Sequence, residues 1–152
     1  MEVNNINLSF TTNKALHSLE VANFMRNRAP LLGVDPDEAW LTGWCHDIGY
    51  VHGGLNHNES GAQMACIYSD RLAEYVRLHD SKEPIKDHLQ FLLVLADWVV
   101  DETGKYVGVH ERAQSILRRD CLVSEENLKM HIRRLAEYAE KHNLEDFYER
   151  VL

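Results

Sequence analysis

The sequence predicts an all-α fold, a single domain of six to eight helices. Three observations lead there. Apolar residues recur every three or four positions along most of the chain, the period of a helix with one buried face. No run alternates apolar and polar residues as a half-buried strand requires. Residues that start helices, above all Asp35 and Ser124, stand at the head of segments with that spacing. The chain of 152 residues, 45% hydrophobic and 26% charged with three Pro, has the composition and length of one globular core.

Taken in order, Thr11 or Thr12 is placed to cap a first helix running to about Arg28, with apolar positions at Leu16, Leu19, Ala22 and Met25. Gly33 to Pro36 breaks and restarts the chain. Asp35 is an N-cap, Pro36 suits the first helical position, and Glu38 has the spacing of a capping box. The helix from Pro36 to about His46 is apolar on most sides (Ala39, Trp40, Leu41, Trp44, Cys45) and is expected to be central. Gly49, Gly53 and Gly54 mark a loop. A helical pattern resumes near Asn58 through Ala62, Ala65, Ile67 and Leu72, with a possible break near Asp70. Ser81 to Pro84 is a turn. Ile85, Leu89, Leu92, Ala96 and Val99 follow helical steps and predict an amphipathic helix. Two or three more helices are expected, from Val109 to about Arg119, from Glu125 to about Lys141, and a short one from Leu144 to Val151. Leu128, Ile132, Leu135 and Tyr138 are apolar positions of the second of these that can pack on the core, and the sequence leaves the oligomeric state open.

Sixteen Lys and Arg against twenty-four Asp and Glu give a net charge of −8, which repels phosphate backbones and excludes duplex nucleic acid as a main partner. The longest apolar stretch, Phe91 to Ala96, has six residues, where a membrane span needs about 20, so no membrane partner is expected. The opening MEVNNINLSF has neither a basic segment nor an apolar one, so no secretory signal is expected. Cys45, Cys66 and Cys121 read as reduced, buried thiols, and the expected location is cytoplasmic.

The compositional outlier is nine His. Trp44-Cys45-His46-Asp47-Ile48-Gly49 ends an apolar helix, where an imidazole and a carboxylate should not both be buried without a partner. Gly49 is suited to terminate that helix in a sharp turn. The negative end of the helix dipole lies at the same place and favours a cation. Asp97 interrupts Leu92–Ala96 on one side and Trp98-Val99-Val100 on the other, and a buried carboxylate bound to a metal resolves that conflict. The bland alternative is a flank-facing Asp paired with an Arg. His17, taken alone, reads as a satisfied core histidine, and His57 and His79 read as surface residues. His79-Asp80 is a second His-Asp pair, in which Asp80 is expected to face solvent in a turn. His52, His88, His110, His131 and His142 read as solvated or structural.

In order, His17, His46-Asp47, His57, His79 and Asp97 resemble the HD-domain superfamily of metal-dependent phosphohydrolases, and Ile48-Gly49 supplies its HDIG form. The likeness covers roughly residues 14 to 112. In layout it is most similar to the HD-type diadenosine tetraphosphate hydrolase group. That group carries a Lys soon after the His-Asp pair and a Glu-Pro-Gly-Arg run after the last Asp; this chain has Tyr50-Val51 and Asp101–Gly104. The resemblance implies one divalent ion on His17, His46 and Asp97, a second on His57 and His79, and Asp47 as the bridge. Asp47 would also orient a hydroxide shared by ions about 3.5–4 Å apart. Imidazole-rich ligands favour transition metals, Fe or Mn ahead of Co, Ni and Zn. The implied activity is hydrolysis of a nucleotide or related phosphoester or phosphoanhydride. Lys14, Lys82 and Arg112 are candidate contacts to the substrate phosphates. Two alternatives stand beside it, an HD-type di-iron oxygenase and a non-catalytic nucleotide-binding protein.

Overall fold

The computed structural model describes residues 13–52, 56–119 and 123–151. Eight α-helices lie among them: α1 (Ala15–Arg28), α2 (Pro36–Cys45), α3 (His57–Ala65), α4 (Asp70–Leu78), α5 (His88–Val99), α6 (Val109–Arg119), α7 (Glu125–Lys141) and α8 (Glu145–Glu149). Short 3-10 turns occupy Ala29–Leu32 and Ile48–His52. The only extended pairing among the described residues is one isolated bridge, Val100 with Tyr106. None of the described helices is long and apolar enough to cross a membrane.

The caps follow local chemistry. Asp35 accepts from the amides of Asp37 and Glu38, and Ser124 accepts from Asn127, as expected of side chains that satisfy a helix's first N–H groups. The capping box does not form: Glu38 instead accepts from Arg71 at 2.9 Å, because a charged long-range partner is within its reach. Thr11 and Thr12 lie outside the described residues. The break expected near Asp70 falls at Cys66–Ser69, where Ser69 accepts from Leu72 and starts α4. Ile67, in that turn, is 77% exposed rather than on an inner face. Cys45 is buried but Cys66 is exposed, which corrects the expectation for that thiol; Cys121 lies outside the described residues.

The core has two parts. The larger gathers residues of α1, α5, α6, α7 and α8 around Leu89–Ala96; the smaller joins Cys45, Ala62, Ala65, Leu72, Ala73 and Val76 of α2, α3 and α4. α5 is buried on every side rather than amphipathic, with only His88 and Asp97 less than fully enclosed. Its regular stripe was one face of a helix that neighbours surround. α1 departs most from its apolar pattern. Leu16 and Leu19 are exposed, while His17 and Ser18 are buried beside Val21 and Ala22. The helix turns a polar edge inward, toward the seam between the two core clusters.

Two glycines let the elements close on that seam. A Cβ on Gly43 would come within 2.7 Å of the Ala22 Cα, so α2 crosses α1 at backbone contact. A Cβ on Gly49 would lie 1.9 Å from the His57 carbonyl oxygen. Gly49 does not take the left-handed conformation expected of a helix-ending glycine; it is needed for this close approach to α3.

Candidate metal centre

Five elements deliver side chains to one place at the seam. His17 comes from α1, His46 and Asp47 from the end of α2, His57 from the start of α3, His79 from the end of α4 and Asp97 from the last turn of α5. The carboxyl-terminal ends of α2 and α4 both arrive there, bringing partial negative charge. His17, His46, Asp47 and His79 are buried; His57 and Asp97 are partly open to a cavity of about 280 Å³.

Three imidazoles are oriented by the backbone. His17 Nδ1 donates to the Asp101 carbonyl at 2.9 Å, His46 Nδ1 to Gly43 at 2.6 Å, and His79 Nδ1 to Val76 at 2.6 Å. A neutral imidazole that donates from Nδ1 keeps a bare lone pair on Nε2. Those lone pairs face carboxylate oxygens. His17 Nε2 is 2.9 Å from Asp97 Oδ1, and His46 Nε2 is 3.3 Å from both Asp97 Oδ1 and Asp47 Oδ2. On the other side, Asp47 Oδ1 is 3.7 Å from His57 Nε2 and 3.5 Å from His79 Nε2. Asp47 therefore turns one oxygen to each histidine pair.

Acceptors facing acceptors need either extra protons or a cation. Burial alone would push the His46 imidazole toward neutrality, but Asp47 and Asp97 beside it raise it well above its ordinary value. Burial would likewise raise Asp47 and Asp97, yet the facing histidines hold both carboxyls well below the usual range. Protons are a poor filling. The rings of His17 and His46 and those of His46 and His79 are centred 5.2 Å apart, so charging them sets cations side by side. Divalent metal suits the donor set better, since ligands at about 2.0–2.2 Å from one ion stand roughly 3–3.6 Å from each other. Two groups that share Asp47 have ligand atoms within 4.8 Å of one another: His17, His46, Asp47 and Asp97, and Asp47, His57 and His79. The backbone bonds to Nδ1 are the outer contacts that fix a ligating histidine's tautomer.

The other expected residues divide. Lys14 reaches the site, its ammonium 3.9 Å from Asp47 Oδ2 and 4.1 Å above the Tyr50 ring. Arg112 lines the cavity and is paired with Glu102 at 2.7 Å. Lys82 does not line it; its ammonium donates to Asn127 on α7 at 3.1 Å. Two charged cavity residues were missed. Arg119 shares the face of α6 with Arg112 and Ile116, a spacing of four and three that was legible beforehand. Asp80 is half exposed in the turn expected of it, yet its carboxylate lies 3.5 Å from His79 Nε2 and 3.6 Å from His57 Nε2, which no local pattern signals. Trp98, Ile116 and Val123 add an apolar wall. Of the remaining histidines, His88 is bonded to the Tyr138 hydroxyl at 2.6 Å and His131 packs on Trp98. His110 and His142 are exposed, and the His52 side chain lies outside the described residues.

Comparison with known proteins places this geometry. No solved structure matches the chain. A deoxyguanosinetriphosphate triphosphohydrolase-like protein of Corynebacterium efficiens is 35% identical over 95 residues, 59% of this chain and 22% of that one. One from Corynebacterium glutamicum is 33% identical over 121 residues, 75% of this chain and 28% of that one. Ribonuclease Y of Aquifex aeolicus is 33% identical over 94 residues, 59% of this chain and 17% of that one. The chain thus spans under a third of the length of these curated relatives. The HD domain family matches residues 15–125, a range that holds every histidine and aspartate of the cluster, and the chain belongs to that family.

Proposed function

We propose that this chain is a metal-dependent phosphohydrolase acting on a nucleotide or a related phosphoester or phosphoanhydride. The observation that carries the reading is the division of Asp47, with one oxygen toward His17 and His46 and the other toward His57 and His79. A carboxylate in that position suits two cations and no single one. Asp97 completes the first set of ligands. Held by these residues, divalent ions would supply an acidified water and a clamp on phosphoryl oxygens. Fe or Mn suits the mixed imidazole and carboxylate donors, with Co, Ni and Zn as substitutes.

The chain's own residues do the rest. Lys14, at the rim beside Asp47, meets an incoming phosphate and offsets the acidic surface. Arg112 and Arg119 share Glu102, which is 2.7 and 3.4 Å away, and a phosphate entering between them can take over their N–H donors. Trp98, Ile116 and Val123 give the non-phosphate part of the substrate an apolar surface and keep water from that side. Two of the relatives are named as deoxyguanosinetriphosphate triphosphohydrolase-like proteins, which is consistent with a nucleotide here.

The test is metal-reconstituted protein against a panel of nucleoside mono-, di- and triphosphates, dinucleotides, a short single-stranded RNA and a generic phosphoester. Release of phosphate or nucleotide from at least one is expected. Failure on every member sinks the reading.

A further inference from the structure

The second His-Asp pair sits where a metal ligand would. We infer that Asp80 is a ligand of the ion held by Asp47, His57 and His79, an assignment that rests on the two-ion reading above. Asp80 Oδ2 is 3.5 Å from His79 Nε2 and 3.6 Å from His57 Nε2. Asp47 Oδ1 stands 3.5 and 3.7 Å from the same two nitrogens. Two carboxylate oxygens therefore meet one pair of imidazole nitrogens at matching separations. Side chains sharing an ion at about 2.0–2.2 Å have roughly that spacing. His79 spends its Nδ1 proton on Val76, so Nε2 has no hydrogen to offer Asp80 unless the ring is charged.

Asp80 also lines the cavity, half exposed. With His79 and Asp97 it forms a third group whose ligand atoms lie within 4.8 Å of one another. Its Oδ2 receives the amide of Asn58 at 3.5 Å, from the residue next to His57. That bond holds the carboxylate over the histidines, as outer partners do for ligating carboxylates. The consequence is symmetry of donors. His17, His46, Asp47 and Asp97 would give the first ion two nitrogens and two carboxylates, and on this assignment His57, His79, Asp47 and Asp80 would give the second the same set. Two matched half-sites should hold the same metal with similar affinity.

The experiment strips the protein with a chelator and titrates it with Mn(II), counting bound ions by elemental analysis after desalting and affinity by calorimetry. Wild-type protein is expected to bind two equivalents of similar affinity. Asp80→Ala should keep one and weaken the other at least 10-fold, the lower bound for loss of even an outer partner. Because the Asp80 side chain is 52% exposed, its removal leaves no core cavity, and circular dichroism should match wild type. Asn58→Ala, which frees the carboxylate without removing it, should weaken the same equivalent by a smaller factor. Two unweakened equivalents in Asp80→Ala overturn the assignment and leave the two-ion reading standing. Wild-type protein that binds one equivalent or none overturns that reading and the assignment with it.

Discussion

Two clusters of charged side chains sit on this scaffold, and they differ in how their hydrogen bonds close. Between α2, α4 and α5, Arg71 donates to Glu38 and to Asp87, both at 2.9 Å. Tyr75 donates to Asp87, and the Gln90 amide donates to the other oxygen of Asp87 at 2.9 Å. Every acceptor there has a donor. At the seam, bare imidazole nitrogens face carboxylates that also lack protons. Both clusters are built around aspartates. Charge density does not separate a structural network from a metal site; an unmatched excess of acceptors does.

The largest expected effect comes from Asp47→Ala set against Asp87→Ala. The first removes the oxygens facing both histidine pairs and should cost more than the ~10–100-fold in metal affinity typical of outer partners. Asp87→Ala should leave metal content unchanged. Equal metal content in the two variants would break the contrast. Chelation is the next test. A ligand at 100 times its Kd adds about 2.7 kcal/mol. At roughly 2–4 °C per kcal/mol for a chain of this size, metal-loaded protein should melt about 5–10 °C above chelated protein in scanning calorimetry.

Asp87→Ala should instead act on stability alone. It removes the α5 N-cap and the partner of Tyr75 and Arg71, costing about 1–2 kcal/mol, or roughly 2–8 °C in Tm, with or without metal. The smallest effect is its pH dependence. Burial alone would raise the Asp87 carboxyl, but Tyr75, the Gln90 amide and Arg71 hold it below the usual carboxylate range. A depressed carboxylate stabilises the fold above the unfolded-state pKa near 4, and that gain is lost as pH falls through the folded value. The Tm gap between wild type and Asp87→Ala should therefore be constant from pH 6 to 5 and narrow below about pH 4.

The all-helical class followed from spacing and caps alone, because both are local: Asp35 and Ser124 satisfy amides two or three residues away. Asp97 and the His46-Asp47 pair were legible as conflicts, polar groups where the pattern demanded apolar ones. Tertiary structure decided the rest. The roll of α1 that exposes Leu16 and Leu19 could not be read from hydrophobicity, since the inward face is partly polar and its partner, Asp97, lies 80 residues away. Lys82 and Asp80 stand two residues apart, yet one turns to α7 and the other to His57. A side chain's direction out of a turn depends on which helices pack around it, and that packing is set by contacts remote in the chain.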